Sequence, residues 1–398
     1  MGYEVKRAAK MAARGVACLS DPAQVQRPNI LKFSIPNQTE EDRSKVLYFG
    51  FFSKEEIKAN AGRLLMLDID FGRACSLSCP TCFRRNNVVD DTDAPDLTFD
   101  ELMEVVSQAR GLGLREIKIC GAGEPLENPD LLRLARQLTD WNIGLSIFTK
   151  GHVLGDDALA ASVFSHEGIK NASHLAQMLF ELKTSMLVSF QSFRPDIQDR
   201  LVGGVQGHTQ RRNRAVELLA SVGFNKCNPT RLMFCALPVT RATYDHIFDI
   251  YVYCRERNIL PLVTSFMVSG KQFTDGYLAH VDVTDDDKLR LYQRIYRYNF
   301  QHGIQSADGI KEDGISPMPG IHPCNQIAAG LYITCNGNVL SCPGATTVLG
   351  NPRERQIADI WHDSPNFLRR GIFNCKCPPK DGGTVPLAVY KIAPMELM

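Results

Sequence analysis

Between residues 64 and 302 short apolar runs alternate with amphipathic segments, first with a period of two and then with a period near three and a half. The apolar runs predict strands over 64–70, 116–120, 145–148, 186–190, 231–237 and 262–268. Thr98-Phe-Asp-Glu101 is a capping box, and the helix it opens turns Leu102, Val105, Val106, Ala109 and Leu112 to one side. Asn128-Pro129-Asp130 starts a second helix carrying Leu131, Leu132, Ala135 and Leu138. Further helices are expected over 157–164, 173–183, 211–222, 244–257 and 285–300. Six strand-to-helix units predict an α/β fold with a parallel sheet, because a helix carries the chain back between parallel strands.

The flanks are patterned differently. Before residue 64 two helices are expected, over 5–17 and 53–61, separated by a polar stretch with Pro22, Pro28 and Pro36. After residue 302 a Gly- and Pro-rich connection leads to two short apolar runs around Asn336-Gly337, a strong hairpin signal. The expected division is therefore 1–63 as an N-terminal extension, 64–302 as the α/β unit, 303–383 as a small C-terminal unit and 384–398 as a tail.

Composition narrows the function classes. With 45 basic and 44 acidic side chains the formal net charge is +1, which gives no sign of a nucleic-acid surface. No apolar run reaches the length needed to span a bilayer, and residues 1–19 lack an apolar signal core. A cytoplasmic protein with no membrane partner is expected.

Thirteen cysteines are present, and eight fall in two groups. The first is Cys75-Ser-Leu-Ser-Cys79-Pro-Thr-Cys82-Phe83, directly after the first strand. Three thiols in eight residues imply a metal site, and three rather than four leave one iron of an iron–sulfur cluster without a protein ligand. A zinc knuckle or a thioredoxin-like pair would use Cys79 and Cys82 alone; zinc needs a fourth ligand, and the next histidine is His152.

The Cys-x-x-x-Cys-x-x-Cys spacing followed by an aromatic resembles the signature of the radical S-adenosylmethionine (SAM) enzymes. That resemblance implies a partial (β/α)6 barrel with chemistry at the carboxyl ends of the strands. It also implies a [4Fe–4S] cluster held by Cys75, Cys79 and Cys82, with SAM on the open iron. One electron, from a reductant such as flavodoxin or ferredoxin, then cleaves SAM to a 5′-deoxyadenosyl radical that takes a hydrogen atom from the substrate. Gly123-Glu124-Pro125 resembles the family's Gly-Gly-Glu-Pro motif, with Ala122 replacing the first glycine; it implies backbone approach at Gly123 and a carboxylate, Glu124, for the SAM ammonium. Thr149-Lys150-Gly151 resembles the family's Thr-Asn-Gly, but Lys150 departs from it and no role is carried over. Ser189 and Gln191 are expected at the SAM ribose or carboxylate, and Phe83 beside the adenine.

Cys324, a spacer and then Gly337-Asn-Val-Leu-Ser-Cys342 resemble the opening of the auxiliary-cluster domain called SPASM, or its shorter form, twitch. With Cys375 and Cys377 they would hold one fully ligated auxiliary [4Fe–4S] cluster, which acts through electrons; a zinc ribbon is the alternative. Five cysteines are too few for the two clusters of a full SPASM domain. Cys335 is left over as a spare ligand, a buried thiol or a hydrogen-atom donor in catalysis. The leading expectation is oxidation or epimerisation of a small molecule resembling a sugar or aminocyclitol. The alternative is a maturase acting on a ribosomal precursor peptide, and a non-enzymatic metal-binding scaffold is a third reading.

Overall fold

The computed structural model describes residues 25–32, 39–82, 94–264, 280–313, 316, 318–321 and 323–373. Six parallel strands follow in chain order: β1 (Met66–Ile69), β2 (Glu116–Ile119), β3 (Gly144–Thr149), β4 (Ser185–Ser189), β5 (Leu232–Ala236) and β6 (Leu260–Val263). Nearly every residue of these strands is buried, as expected for a parallel sheet covered on both faces. The architecture is the partial barrel the motifs imply.

The helices follow the predicted pattern closely. Thr98 caps Phe99–Gly111 with both halves of the capping box made, and its buried residues are Leu102, Val105, Val106 and Ala109. The helix Leu131–Asp140 buries Leu131, Leu132, Ala135 and Leu138, and Leu134 besides. Strand β6 starts two residues earlier than predicted and contains Pro261. The proline cannot donate to the ladder, but β6 is the outermost strand, where that donor is not needed. The expected strand ran to residue 268; 265–268 lie outside the described residues. A short helix, Pro195–Leu201, was not predicted.

The C-terminal hairpin has the expected strands, β7 (Gly330–Ile333) and β8 (Val339–Leu340), paired antiparallel at Tyr332↔Leu340 and Ile333↔Val339. It joins the sheet of the α/β unit. Strand β7 pairs in parallel with β1, Asp68 opposite Tyr332, so the sheet order is β6-β5-β4-β3-β2-β1-β7-β8. The hairpin extends the barrel's own sheet past β1. The helix Ile357–Asp363 follows it, with Ile357, Ile360 and Trp361 buried and Trp361 donating to Gly62 O at 2.9 Å.

Candidate active site

The carboxyl ends of β1–β6 and the hairpin enclose a cavity of about 290 Å³. Cys75, Cys79 and Cys82 line it, and so do Cys324 and Cys342 from the second cysteine group. Two groups more than 240 positions apart in sequence thus face one space. Phe83, Cys375 and Cys377 lie outside the described residues. Cys335 is buried and is not among the residues lining the cavity; its backbone N–H donates to Asp70 Oδ2 at 3.3 Å.

The loop carrying Cys75 is held from several sides. Glu127 accepts from Ser76 N at 2.9 Å and Ser76 Oγ at 2.6 Å, and lies 2.8 Å from His152 Nε2. Ser78 N donates to Val202 O, and a Cβ on Gly203 would come within 2.9 Å of Ser78 O. Glycine is required at position 123 for the same reason: φ is +76° and a Cβ would lie 2.5 Å from Gly72 O.

Glu124 is buried and works as a brace between strand ends. Its carboxylate accepts from Thr149 Oγ1, from Lys150 N at 2.8 Å and from Leu126 N at 3.3 Å. Ser189 and Gln191 touch each other, with Gln191 Nε2 donating to Ser189 Oγ at 2.8 Å, but only Ser189 lines the cavity. Lys150 Nζ donates to the same Ser189 oxygen at 2.8 Å, so the lysine that broke the family pattern stands inside the site.

Asp70 joins the two halves. One oxygen accepts from Ala122 N and from the Tyr332 hydroxyl, the other from Cys335 N. A Cβ on Gly121 would fall 1.4 Å from that carboxylate, which explains the glycine.

Sequence reasoning missed the charged pair in the cavity wall. Lys118 on β2 and Asp68 on β1 are opposite in register, and Nζ lies 3.1 Å from Oδ1 with both side chains buried. Burial works against the Lys118 charge, but Asp68 and the thiols of Cys120 and Cys324 outweigh it and raise its pKa. Lys118 Nζ also lies 4.6 Å from the centre of the Phe49 ring. Two charges inside otherwise apolar strands were the signal that could have found them.

The donor set fits iron–sulfur clusters better than a single ion. The members of both cysteine groups that line the cavity are thiols, soft ligands that suit iron–sulfur clusters, and a cubane cluster spreads its thiolates over separate irons. Partial desolvation, with Glu124, Glu127 and Cys79 close by, raises the Cys75 thiol to about 11, and the positive charge of bound iron would favour its thiolate.

The sequence comparisons agree with this geometry. The Radical SAM superfamily profile matches residues 69–240, and a profile described as SPASM, an iron–sulfur cluster-binding domain, matches 324–379. The AdoMet-dependent heme synthase of Methanosarcina barkeri is 21% identical over 329 residues, 78% of this chain and 85% of the relative. The PqqA peptide cyclase of Gluconobacter oxydans is 24% identical over 301 residues, 74% and 75% of the two chains. Among solved structures, Streptococcus suis SuiB bound to its precursor peptide SuiA aligns with a TM-score of 0.54 at 20% identity, covering 78% of this chain and 68% of that one.

The chain is a radical SAM superfamily enzyme with a C-terminal SPASM-type iron–sulfur domain. Its cofactors are a SAM-binding [4Fe–4S] cluster, an auxiliary cluster and SAM. No helix among the described residues is long and apolar enough to cross a membrane.

Proposed function

We propose that the chain modifies a peptide, inserting one residue of an extended substrate between its two cysteine groups. The observation that carries this is the likeness to a peptide cyclase along three quarters of both chains. The small-molecule reading drawn from the sequence has no comparable support. In this reading Cys75, Cys79 and Cys82 hold the SAM-binding cluster, Cys324 and Cys342 the auxiliary one with Cys375 and Cys377, and a flavodoxin- or ferredoxin-class reductant supplies electrons. When bound, the first cluster and SAM supply a 5′-deoxyadenosyl radical that removes a hydrogen atom from the substrate.

The protein's own contribution is positioning. Glu124, Lys150 and Ser189 form one hydrogen-bonded rim across the ends of β2, β3 and β4, the side from which the family places SAM. Lys118, Asp68, Cys324 and Cys342 line other parts of the same cavity. The space between is at the lower limit of small-molecule pockets, which run from about 300 to 1,000 Å³.

A haem precursor is the competing substrate, favoured by the Methanosarcina relative. Anaerobically reconstituted protein with SAM and dithionite should change the mass of a short peptide encoded beside its gene, with one 5′-deoxyadenosine formed per event. Turnover of an iron tetrapyrrole, with the peptide unchanged, would reverse the assignment.

A further inference from the structure

The cavity wall beside Cys324 carries two polar groups with no assigned work. Asn325 and Gln326 line the cavity and are 1% and 2% exposed. Gln326 Nε2 donates to Leu331 O at 3.0 Å and Asn325 Nδ2 lies 3.5 Å from Phe52 O, which fixes which end of each amide is the oxygen. Both oxygens, Asn325 Oδ1 and Gln326 Oε1, are without a hydrogen-bond partner. A buried acceptor left unpaired costs about 1–3 kcal/mol, so two side by side on a cavity wall point to a ligand that donates to them.

The same cavity offers a donor. Lys118 is buried and cationic, and its charge is balanced by Asp68. A substrate carboxylate would have to compete with Asp68 for Lys118 and would meet two further oxygens. A substrate ammonium would satisfy those oxygens but sit close to Lys118. A primary amide satisfies all three groups, because its two N–H bonds donate to the Asn325 and Gln326 oxygens while its C=O accepts from Lys118 Nζ; a backbone peptide group, with one N–H, satisfies Lys118 and one of the oxygens.

We propose that Lys118, Asn325 and Gln326 form an amide-recognition site that anchors the substrate between the two cysteine groups. This rests on the peptide reading above and sharpens it, since either a backbone peptide group or an asparagine or glutamine side chain would be the anchored amide. Asp68 holds Lys118 through the ion pair, and its Oδ1, which has no hydrogen-bond partner, is a further buried acceptor on the same cavity wall.

The test uses the reconstituted full chain and three probes in saturation-transfer NMR titrations: N-acetyl-trialanine amide, the same peptide with a central asparagine, and propionate. Both blocked peptides should bind and propionate should not displace them. Asn325→Leu and Gln326→Leu should each weaken peptide binding about tenfold, the loss of one buried hydrogen bond. Thermal melts and cluster absorbance check that each variant is folded and loaded, and Gln326→Glu, which keeps an acceptor, should bind better than Gln326→Leu. Equal binding of the two peptides assigns the backbone amide, and a preference for the asparagine peptide assigns the side chain. Wild-type-like affinity in both leucine variants, no peptide binding to the wild type, or displacement by propionate would each overturn the site. Binding that the leucine variants weaken, in a protein that modifies no peptide, would keep the amide site and remove the peptide-modifying function.

Discussion

Two cavities open at opposite ends of the same sheet, and they differ in chemistry more than in size. The one at the amino ends of β2–β5 has a volume of about 400 Å³ and is lined by Lys45, Tyr48, Glu56, Arg115, Glu116 and their neighbours, with no cysteine. The one at the carboxyl ends, about 290 Å³, is lined by seven, five of them from the two cysteine groups. Phe51 touches both, so the segment from Tyr48 to Phe52 forms the partition between them. In a parallel sheet all strands end together, so loops after the strands can bring reactive groups from many sequence positions to one place. Volume says nothing about that. The amino end is built for stability, and the variants below should separate the two ends.

The largest effect is expected at the carboxyl end. Cys79→Ala should reduce 5′-deoxyadenosine formation to background and lower iron content by one cluster, while the melting temperature of the unloaded protein stays within a degree or two. Retained SAM cleavage would remove the cysteine loop from the chemistry.

Asp70→Ala should come next, and it tests whether the two cysteine groups share one scaffold. The alanine removes, at a buried site, the carboxylate that accepts from the N–H groups of Ala122 and Cys335 and from the Tyr332 hydroxyl. The expected loss is about 3–5 kcal/mol, read by chemical denaturation. Loss near zero would mean that β7 is held on β1 by the backbone ladder alone.

That joint also marks the limit of what could be read from the sequence. The hairpin was legible because Asn336-Gly337 and the flanking apolar runs are local signals. Its docking on β1 was not, since Met66 and Gly330 pair across 264 positions and a four-residue apolar strand does not name its partner. The cysteine loop, the Gly123-Glu124-Pro125 turn and the capping box at Thr98 were readable because spacing alone carries their chemistry. Lys118 and Asp68 were passed over for the converse reason: each is an ordinary strand residue until the register places them side by side. Lys150 was set aside as a departure from the family pattern, yet it spans from Glu124 to Ser189. Cys335 was singled out because it stood near other cysteines, but its position on the β7–β8 turn takes it to Asp70 instead of the cavity.

At the amino end the expected effect is on stability and depends on pH. Burial pushes the Glu116 carboxyl up to about 7, although the Gly50 N–H and Lys118 act to lower it. A carboxyl whose pKa is raised on folding favours the folded state most below its ordinary value of 4.5, and that contribution is lost as pH rises through about 7. The shift corresponds to about 3 kcal/mol, an order-of-magnitude figure for a buried group. The melting temperature should therefore fall by several degrees between pH 5 and 8, and Glu116→Gln, whose amide oxygen still accepts from Gly50, should flatten that slope. SAM cleavage at pH 8 should be unchanged or higher. A slope that survives the substitution would place the titrating group elsewhere.

The smallest effect expected is from Glu127→Gln, which asks how much of the cysteine loop's geometry the protein imposes before iron binds. Glutamine keeps one oxygen for the Ser76 hydroxyl but turns an NH₂ toward the Ser76 N–H that Glu127 Oε2 now accepts at 2.9 Å. The Ser76 N–H then faces a donor and keeps only its longer contact to Oε1, at 3.2 Å, a change of about 1–2 kcal/mol. If that strain reaches Cys75, the rate of 5′-deoxyadenosine formation should fall roughly three- to tenfold by the same energy scale. The electron paramagnetic resonance spectrum of the reduced cluster should broaden with it, and the melting temperature should hardly move. A merely structural role would give the reverse, a lower melting temperature with an unaltered spectrum. An unchanged rate and spectrum would mean that the three iron–thiolate bonds set the loop on their own. The carboxyl end would then owe its geometry to the cofactor, whereas the amino end owes its own to the packing around Glu116.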